Sequence, residues 1–166
     1  MKTDLENIQR LYDRFKRPVP SGTEYKERLA EEFELILNLR FTEYFLQICD
    51  IIDLTTDIKH MTRGSAGSSL VCYLLGITDV DPIKWKIPVA RFMNPLRDDL
   101  PDVDIDFEHW RQGEVMNRIF KKWPGMTARL SNYVTYKPKS ARREAAKRLG
   151  ATGRLPRGFT YESVGV

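Results

Sequence analysis

Apolar residues in the first third of the chain recur every three or four positions, which is the spacing of one face of an α-helix. In residues 1–20 this repeat is short and stops at "RPVP". It resumes in "YKERLAEEFELILNL", behind Ser21 and Glu24 at the spacing of a capping box. The next segment, "TEYFLQICDIIDL", is apolar around much of its circumference. The pattern predicts three helices, of which the third is buried.

After residue 58 the pattern becomes mixed. A helix is predicted at "SSLVCYLLG", ending at Gly76, and strand and turn character follows in 77–101. Apolar and acidic residues then alternate in "DVDIDF", which predicts a strand. Beyond it we predict a helix at "RQGEVMNRIFKKW", a strand at "MTARLSNYVTY" and a basic helix at "KSARREAAKRLG". This order indicates an α+β fold with an N-terminal helical segment, 1–58, a core, 59–150, and an irregular tail, 151–166.

The composition is that of an ordinary globular domain, with 166 residues, of which 42% are hydrophobic and 30% charged. There is no apolar run long enough to span a membrane, and the first ten residues are too polar for a secretory signal. We therefore expect a cytoplasmic protein. Cys49 and Cys72 both lie in apolar stretches, which favours buried free thiols in a reducing compartment.

Positive charge is concentrated near the C-terminus. From Lys137 to Arg157 there are eight Lys or Arg residues and one acid, although the whole chain carries a net charge of only +4. Such a block suits a polyanionic partner. It is equally typical of a solvated basic helix, so charge alone leaves both interpretations open.

Three aspartates share one face of the predicted strand "DVDIDF", because side chains two residues apart in a strand point the same way. Asp102, Asp104 and Asp106 would repel one another unless a cation lies among them. Hard carboxylate oxygens suit Mg²⁺, Mn²⁺ or Ca²⁺. An EF-hand loop is excluded, because its sixth and twelfth positions would be Phe107 and Gly113. A solvated acidic edge strand remains the alternative.

A glycine-serine segment, "TRGSAGSS", precedes the predicted helix at "SSLVCYLLG". Its small residues would let a ligand approach the backbone closely, and the free N–H groups of the helix start would attract an anion. Arg63 adds a cation with bidentate phosphate geometry. The segment lacks the Gly-Lys-Ser/Thr ending of a Walker A loop. It predicts a phosphate site, and a capped helix after a flexible turn is the alternative.

Several linked motifs resemble the palm of the bacterial DNA polymerase III alpha subunit, the C family of replicative polymerases. They are "YFLQICDII", "RGSAGSSLVCYLLGITDVDP", "RFMNPLR" and "LPDVDIDF", and the resemblance covers residues 25–150. The downstream "YVTYKPKSARREAAKRLG" is most similar to the error-prone branch. The resemblance implies a polymerase-beta-like nucleotidyltransferase palm, with a small mixed sheet and flanking helices.

The resemblance also implies roles for particular residues. Asp102 and Asp104 would be catalytic and would bind two Mg²⁺ ions, with Mn²⁺ as the alternative ion and Asp106 as a further candidate ligand. The residues expected to bind the nucleotide are Arg63, Gly64, Ser65, Arg91 and Arg97. Those expected to lie along primer-template DNA are Lys137, Lys139, Arg142, Arg143, Lys147 and Arg148.

The function implied is that of a palm fragment or split subunit of a DNA-directed DNA polymerase, which adds dNTPs to a primer 3′-hydroxyl. In the family a third catalytic aspartate lies in a motif like KFDFLG, which this chain lacks. We therefore expect a second polypeptide to complete the active site and expect no activity from the chain alone. The alternative is a non-catalytic nucleotide-binding or DNA-binding module, or a replisome regulator, derived from such a palm.

Overall fold

Six α-helices and two short β-strands make up the regular structure of the protein in a computed structural model, which describes residues 4–94, 96, 100–130, 135–148 and 150. The described residues up to 127 form one compact unit, and the described residues from 128 onward form a second. The helices are α1 (Asp4–Tyr12), α2 (Thr23–Asn38), α3 (Thr42–Leu54), α4 (Leu70–Leu74), α5 (Gln112–Lys122) and α6 (Pro138–Arg148). The strands are β1 (His60–Arg63) and β2 (Asp104–Phe107), and single 3₁₀ turns occur at Gly64–Ser68, Val89–Arg91 and His109–Arg111.

The core of the first unit lies among the first four helices. α1 packs against α3, and α2 packs against α4. The apolar faces predicted from the sequence are buried: Leu11, Ile36 and Phe45 are fully inaccessible to solvent. Phe45 also meets Phe92 edge-to-face, with ring centroids 6.1 Å apart. Within this helical layer, α4 contacts the turn Gly64–Ser68, which follows β1.

The sheet of the described residues has two antiparallel strands. His60 lies opposite Phe107, and Arg63 lies opposite Asp104. Val103 and Ile105 pack against the core, so the other face of β2 looks outward. The fold is therefore mixed α and β, as the order of patterns predicts.

Most helix predictions are confirmed, and α3 has the predicted bounds. Two local predictions are wrong. α2 begins after Gly22 without a side-chain cap, so Ser21 and Glu24 form no capping box. The described residues in 77–101 form turns and a 3₁₀ turn in place of a strand, because Asp81 accepts hydrogen bonds from the amides of Ile83 and Lys84. The strand predicted at 126–136 lies partly outside the described residues, and the described parts, 126–130 and 135–136, form turns or irregular structure.

Both cysteines are buried free thiols, as expected. Burial raises the pKa of the Cys49 thiol to about 11, so it is protonated at neutral pH. None of the helices in the described ranges combines the length and apolar character that crossing a bilayer requires.

Asp57, just beyond the end of α3, connects α3 to α5 through hydrogen bonds with arginine side chains. Its Oδ2 atom accepts hydrogen bonds from Arg118 at 2.9 Å and from Arg111 at 2.7 Å. Arg118 also donates to the Leu54 carbonyl oxygen at 2.7 Å, and Glu114 pairs with both arginines. The hydrogen bonds from Arg118 and Arg111 hold the pKa of Asp57 far below its usual range.

We expect Asp57→Asn to weaken the dependence of the protein's stability on pH in the acidic range. A carboxyl group whose pKa is lowered by folding stabilises the native state above its unfolded pKa, which is about 3.9, and this contribution is lost as the pH falls below that value. The wild-type melting temperature should therefore fall between pH 5 and pH 3 by more than that of the variant. Glu27→Gln, at an exposed position without an ion pair among the described residues, is the control and should keep the wild-type slope.

Candidate functional site

The three aspartates of "DVDIDF" share the outward face of β2 and of the two residues before it. Asp102, Asp104 and Asp106 are exposed, whereas Val103 and Ile105 between them are half-buried. The predicted alternation is therefore present. The packing of the apolar side chains on the core fixes which way the carboxylates point.

The glycine-serine turn lies directly against this acidic face. β1 ends at Arg63 and leads into the 3₁₀ turn Gly64–Ser68. Gly64 has a φ of +75°, and a Cβ atom there would stand 3.2 Å from the Asp104 Oδ2 atom. Only glycine adopts this conformation without strain, and its missing side chain leaves room for the carboxylate. The turn predicted to hold phosphate and a predicted metal ligand are thus immediate neighbours.

We expect Gly64→Ala to lower the free energy of unfolding by about 1–2 kcal/mol, the usual cost of left-handed backbone for a residue with a Cβ. The added methyl group would also press on the Asp104 carboxylate. Gly113→Ala is the matched control, because a Cβ at Gly113 meets nothing within 4 Å and this residue lies in α5. That control should gain up to about 1 kcal/mol from the better helix propensity of alanine, as measured by urea unfolding. Equal effects of the two substitutions would contradict the close approach at Gly64.

Arg63 is paired with the third aspartate of the face. Its Nε and Nη2 atoms donate to the two carboxylate oxygens of Asp106, the second bond being 3.2 Å long. This bond and the nearby negative charge raise the pKa of Arg63 above its usual value. The predicted phosphate-binding arginine therefore lies at the site, but part of its guanidinium group is already bonded.

A pocket of about 210 Å³ is lined by Ser65, Arg91 and Asp102, among other residues. Arg91 comes from the 3₁₀ turn Val89–Arg91, which stands beside the glycine-serine turn. The backbone before Asp102 is anchored by Tyr44, whose hydroxyl group donates to the Pro101 carbonyl oxygen. Burial, with a contribution from the negative charge of Asp102, raises the pKa of Tyr44 to about 12.

The N-terminus of α4 is occupied by a carboxylate of the protein itself, so the expectation that it attracts an external anion is wrong. Glu32, which is fully buried, accepts hydrogen bonds from the Leu70 amide at 2.8 Å and the Val71 amide at 2.9 Å. It also accepts one from the Ser69 hydroxyl group at 2.7 Å. These are the N–H groups that a helix start leaves without partners. An anion at this site would have to meet the turn Gly64–Ser68 instead.

Arg28 balances the buried charge of Glu32 and extends the anchor. Its Nε atom lies 2.7 Å from Glu32 Oε1, and its Nη2 atom donates to the carbonyl oxygens of Ser68 and Ile87 at 2.7 and 3.0 Å. One buried ion pair of α2 thus holds the end of the glycine-serine turn, the start of α4 and the loop before Val89.

Sequence reasoning missed Arg28 and Glu32, although a signal was present. Leu29, Phe33 and Ile36 define the buried stripe of α2, and Glu32 occupies a position inside that stripe. A carboxylate on an apolar stripe predicts a buried polar partner, because an unpaired buried charge is too costly. The partner itself, almost forty residues further along the chain, could not be identified from helical spacing.

The donor set suits a hard divalent cation. Within the described ranges, no hydrogen bond is made to the carboxylate of Asp102 or Asp104, and no three His, Cys, Asp or Glu side chains converge on one point. Two carboxylates are nevertheless a sufficient protein contribution for Mg²⁺, which keeps several waters and takes its other ligands from substrate phosphates. The residues present therefore fit such an ion.

The remaining predicted site residues are Arg97 and the six basic residues expected to bind DNA. Arg97 is outside the described residues. The predicted DNA-binding residues lie on α6 or directly before it, in the second compact unit. Arg148 forms an ion pair with Glu144, with 3.4 Å between Nε and Oε1. All are exposed except the half-buried Arg142: Lys137, Lys139, Arg143, Lys147 and Arg148.

Comparison with known proteins gives a consistent result. Residues 4–160 match the family model described as the bacterial DNA polymerase III alpha NTPase domain. The chain is 42% identical to an error-prone DNA polymerase of Cutibacterium acnes over 128 residues, covering 75% of this chain and 11% of that protein. It is 37% identical to an error-prone DNA polymerase of Rhodopseudomonas palustris over 155 residues, covering 90% of this chain and 13% of that protein. The matched region is thus a small part of these relatives.

Proposed function

The chain belongs to the family of the bacterial DNA polymerase III alpha subunit, and from this membership we propose that it forms the metal-binding and triphosphate-binding part of a DNA-directed DNA polymerase. The resemblance of its motifs to this family is thereby confirmed. The observation that carries the proposal is the close approach of the Gly64 backbone to the Asp104 carboxylate, where a Cβ atom would stand 3.2 Å from Oδ2. It supports a single site in which a metal ligand and a triphosphate cradle adjoin. We further propose that the fold is a polymerase-beta-like palm.

In the proposed reaction the primer 3′-hydroxyl group attacks the α-phosphate of a bound dNTP, and pyrophosphate leaves. Two Mg²⁺ ions would lower the pKa of the attacking hydroxyl group and neutralise the charge on the leaving oxygens. Asp102 and Asp104 would hold these ions through their exposed carboxylates. The apolar residues between them keep both side chains on the outward face, so the protein orients the ligands before substrate arrives.

The triphosphate would lie along the turn Gly64–Ser68 and the pocket beside it. Ser65 and Arg91 line this pocket together with Asp102, so a phosphate oxygen there could meet a hydroxyl group and a guanidinium group. Arg63 supplies a second cation, and Arg97 is proposed as a third. The basic residues on and before α6 would contact the phosphates of primer-template DNA without reading its sequence.

A non-catalytic nucleotide-binding or DNA-binding role is the second candidate. It is favoured by one observation, that no three ligand side chains converge in the described ranges. In the polymerase proposal a third carboxylate comes from outside this sequence, on a second polypeptide with a KFDFLG-like motif.

Primer extension separates the two candidates. The purified chain is incubated with primed template, four dNTPs and Mg²⁺, alone and with a polypeptide from the same genome that carries a KFDFLG-like motif. The polymerase proposal predicts extension in the mixture and none from the chain alone. Binding of DNA in both reactions, with extension in neither, would contradict it and support the non-catalytic module.

A further inference from the structure

Asp106 differs from the other two aspartates of its face because it already has a partner. Arg63 lies opposite Asp104 in the sheet register, whereas Asp106 lies opposite Met61. The Arg63 side chain therefore reaches diagonally across the strands to contact both oxygens of Asp106. Such fork-to-fork pairing fixes the plane of the guanidinium group as well as its position.

The geometry of this pair determines which N–H bonds of Arg63 are still able to bind a ligand. A guanidinium group has five N–H bonds in a rigid plane. The Nε–H bond and one Nη2–H bond point at Asp106, which leaves three N–H bonds, two of them on Nη1. This remaining edge belongs to Arg63, which directly precedes Gly64. Gly64 itself lies close to the Asp104 carboxylate.

We propose that Asp106 is a positioning residue for Arg63 and not a metal ligand. By holding the Nε and Nη2 side of the fork, it presents the Nη1 edge to the triphosphate bound at the turn Gly64–Ser68. This inference rests on the proposed function, because it assigns a role within the same site. It divides the three aspartates into two ligands, Asp102 and Asp104, and one orienting carboxylate.

Charge balance supports this division. The charge of Asp106 is compensated by Arg63, and its oxygens are already engaged as acceptors. No hydrogen bond or ion pair to the carboxylate of Asp102 or Asp104 is formed among the described residues, although the charge of Asp104 also contributes to the raised pKa of Arg63, so both carboxylates remain available as ligands. Both members of the pair are about half exposed, 57% for Arg63 and 49% for Asp106. The pair therefore acts through orientation, since an exposed ion pair stabilises a fold only slightly.

A double-mutant cycle on nucleotide binding tests the proposal. The affinity of the chain for Mg²⁺ and the α,β-imido analogue of dATP is measured by calorimetry at about 0.15 M salt. The variants are Asp106→Asn, Arg63→Ala and the double substitution. Asp106→Asn removes a negative charge, which affects anion binding whether Arg63 is present or replaced by alanine. The double-mutant cycle cancels this shared effect. We expect Asp106→Asn to be about two- to fivefold more harmful when Arg63 is present, the scale of an exposed ion pair. Asp106→Glu should recover part of the affinity.

Two further measurements distinguish a failure of the positioning role from a failure of the proposed function. Mn²⁺ affinity without nucleotide should change by about twofold or less in Asp106→Asn and fall at least tenfold in Asp104→Asn. The Nε–H resonance of Arg63 should be protected from exchange in the wild type and lose that protection in Asp106→Asn. An Mn²⁺ defect of Asp106→Asn as large as that of Asp104→Asn would make Asp106 a ligand and overturn the proposal while leaving the proposed function intact. Equal nucleotide defects in both Arg63 backgrounds would also overturn it. A wild-type chain that binds neither Mn²⁺ nor the analogue would overturn the proposed function, and with it any positioning role.

Discussion

Replacing Glu32 with alanine lowers the free energy of unfolding by about 3–5 kcal/mol, the usual cost of removing one partner of a buried ion pair. Glu32 has no solvent exposure, and its carboxylate serves Arg28, Ser69 and the first amides of α4 at once. Alanine would leave the guanidinium group of Arg28, which is only 12% exposed, with Glu31 at 4.0 Å as its remaining carboxylate partner among the described residues. It would also leave two helix N–H groups without acceptors.

Glu34→Ala is the matched control, because Glu34 lies on the same helix and is exposed. It should change the free energy of unfolding by no more than about 0.5 kcal/mol. Urea unfolding followed by circular dichroism measures both variants at pH 7. The double substitution of Arg28→Met with Glu32→Gln should cost clearly less than the sum of the two single changes, since it removes both buried charges together. A loss in Glu32→Ala no larger than in the control would contradict the anchoring role of this pair.

Asp104→Asn reduces the rate of primer extension by about a thousandfold or more in the complemented reaction. Metal ligation in such sites accounts for several kcal/mol of transition-state stabilisation, and each 1.4 kcal/mol corresponds to a factor of ten in rate. An amide oxygen is a weaker ligand and cannot offset the charge of two cations. Asp102→Asn should have a comparable effect, because both carboxylates are assigned to the ions.

Asp13→Asn serves as the control for charge alone. Asp13 is an exposed carboxylate just beyond α1 that accepts a hydrogen bond from the Gln9 side chain, and it is not one of the residues assigned to the site. Its substitution should leave extension unchanged. Extension that persists at more than a tenth of the wild-type rate in Asp104→Asn would mean that the catalytic carboxylates are elsewhere.

Local periodicity predicted those features whose causes are local. α3 and the alternating face of β2 follow from residues a few positions apart, since an apolar stripe or an alternation needs no distant information. The strand prediction for 77–101 was wrong because the segment contains β-branched residues, yet no strand in the described part of the chain pairs with it. There the Asp81 side chain and the positive φ of Lys86 favour turns.

Contacts between distant residues could not be predicted in this way. Glu32 reaches amides almost forty residues away, and Arg63 pairs with a carboxylate more than forty residues away. Each contact gives one of the sequence motifs a partner that the local pattern does not reveal. The helix start after the glycine-serine turn is closed to external anions by Glu32, and Asp106 is engaged by the arginine that precedes Gly64.

The location of a bound Mn²⁺ ion tests the central claim most directly. Sub-stoichiometric Mn²⁺ is added to the ¹⁵N-labelled chain in the presence of a dNTP, and paramagnetic broadening of the backbone amide resonances is mapped. We predict that Gly64, Ser65, Asp102 and Asp104 broaden first and that Asp104→Asn abolishes the effect. Broadening centred on Asp50 and Asp53, or on α6, with these four amides unaffected, would contradict a metal and triphosphate site between β2 and the glycine-serine turn.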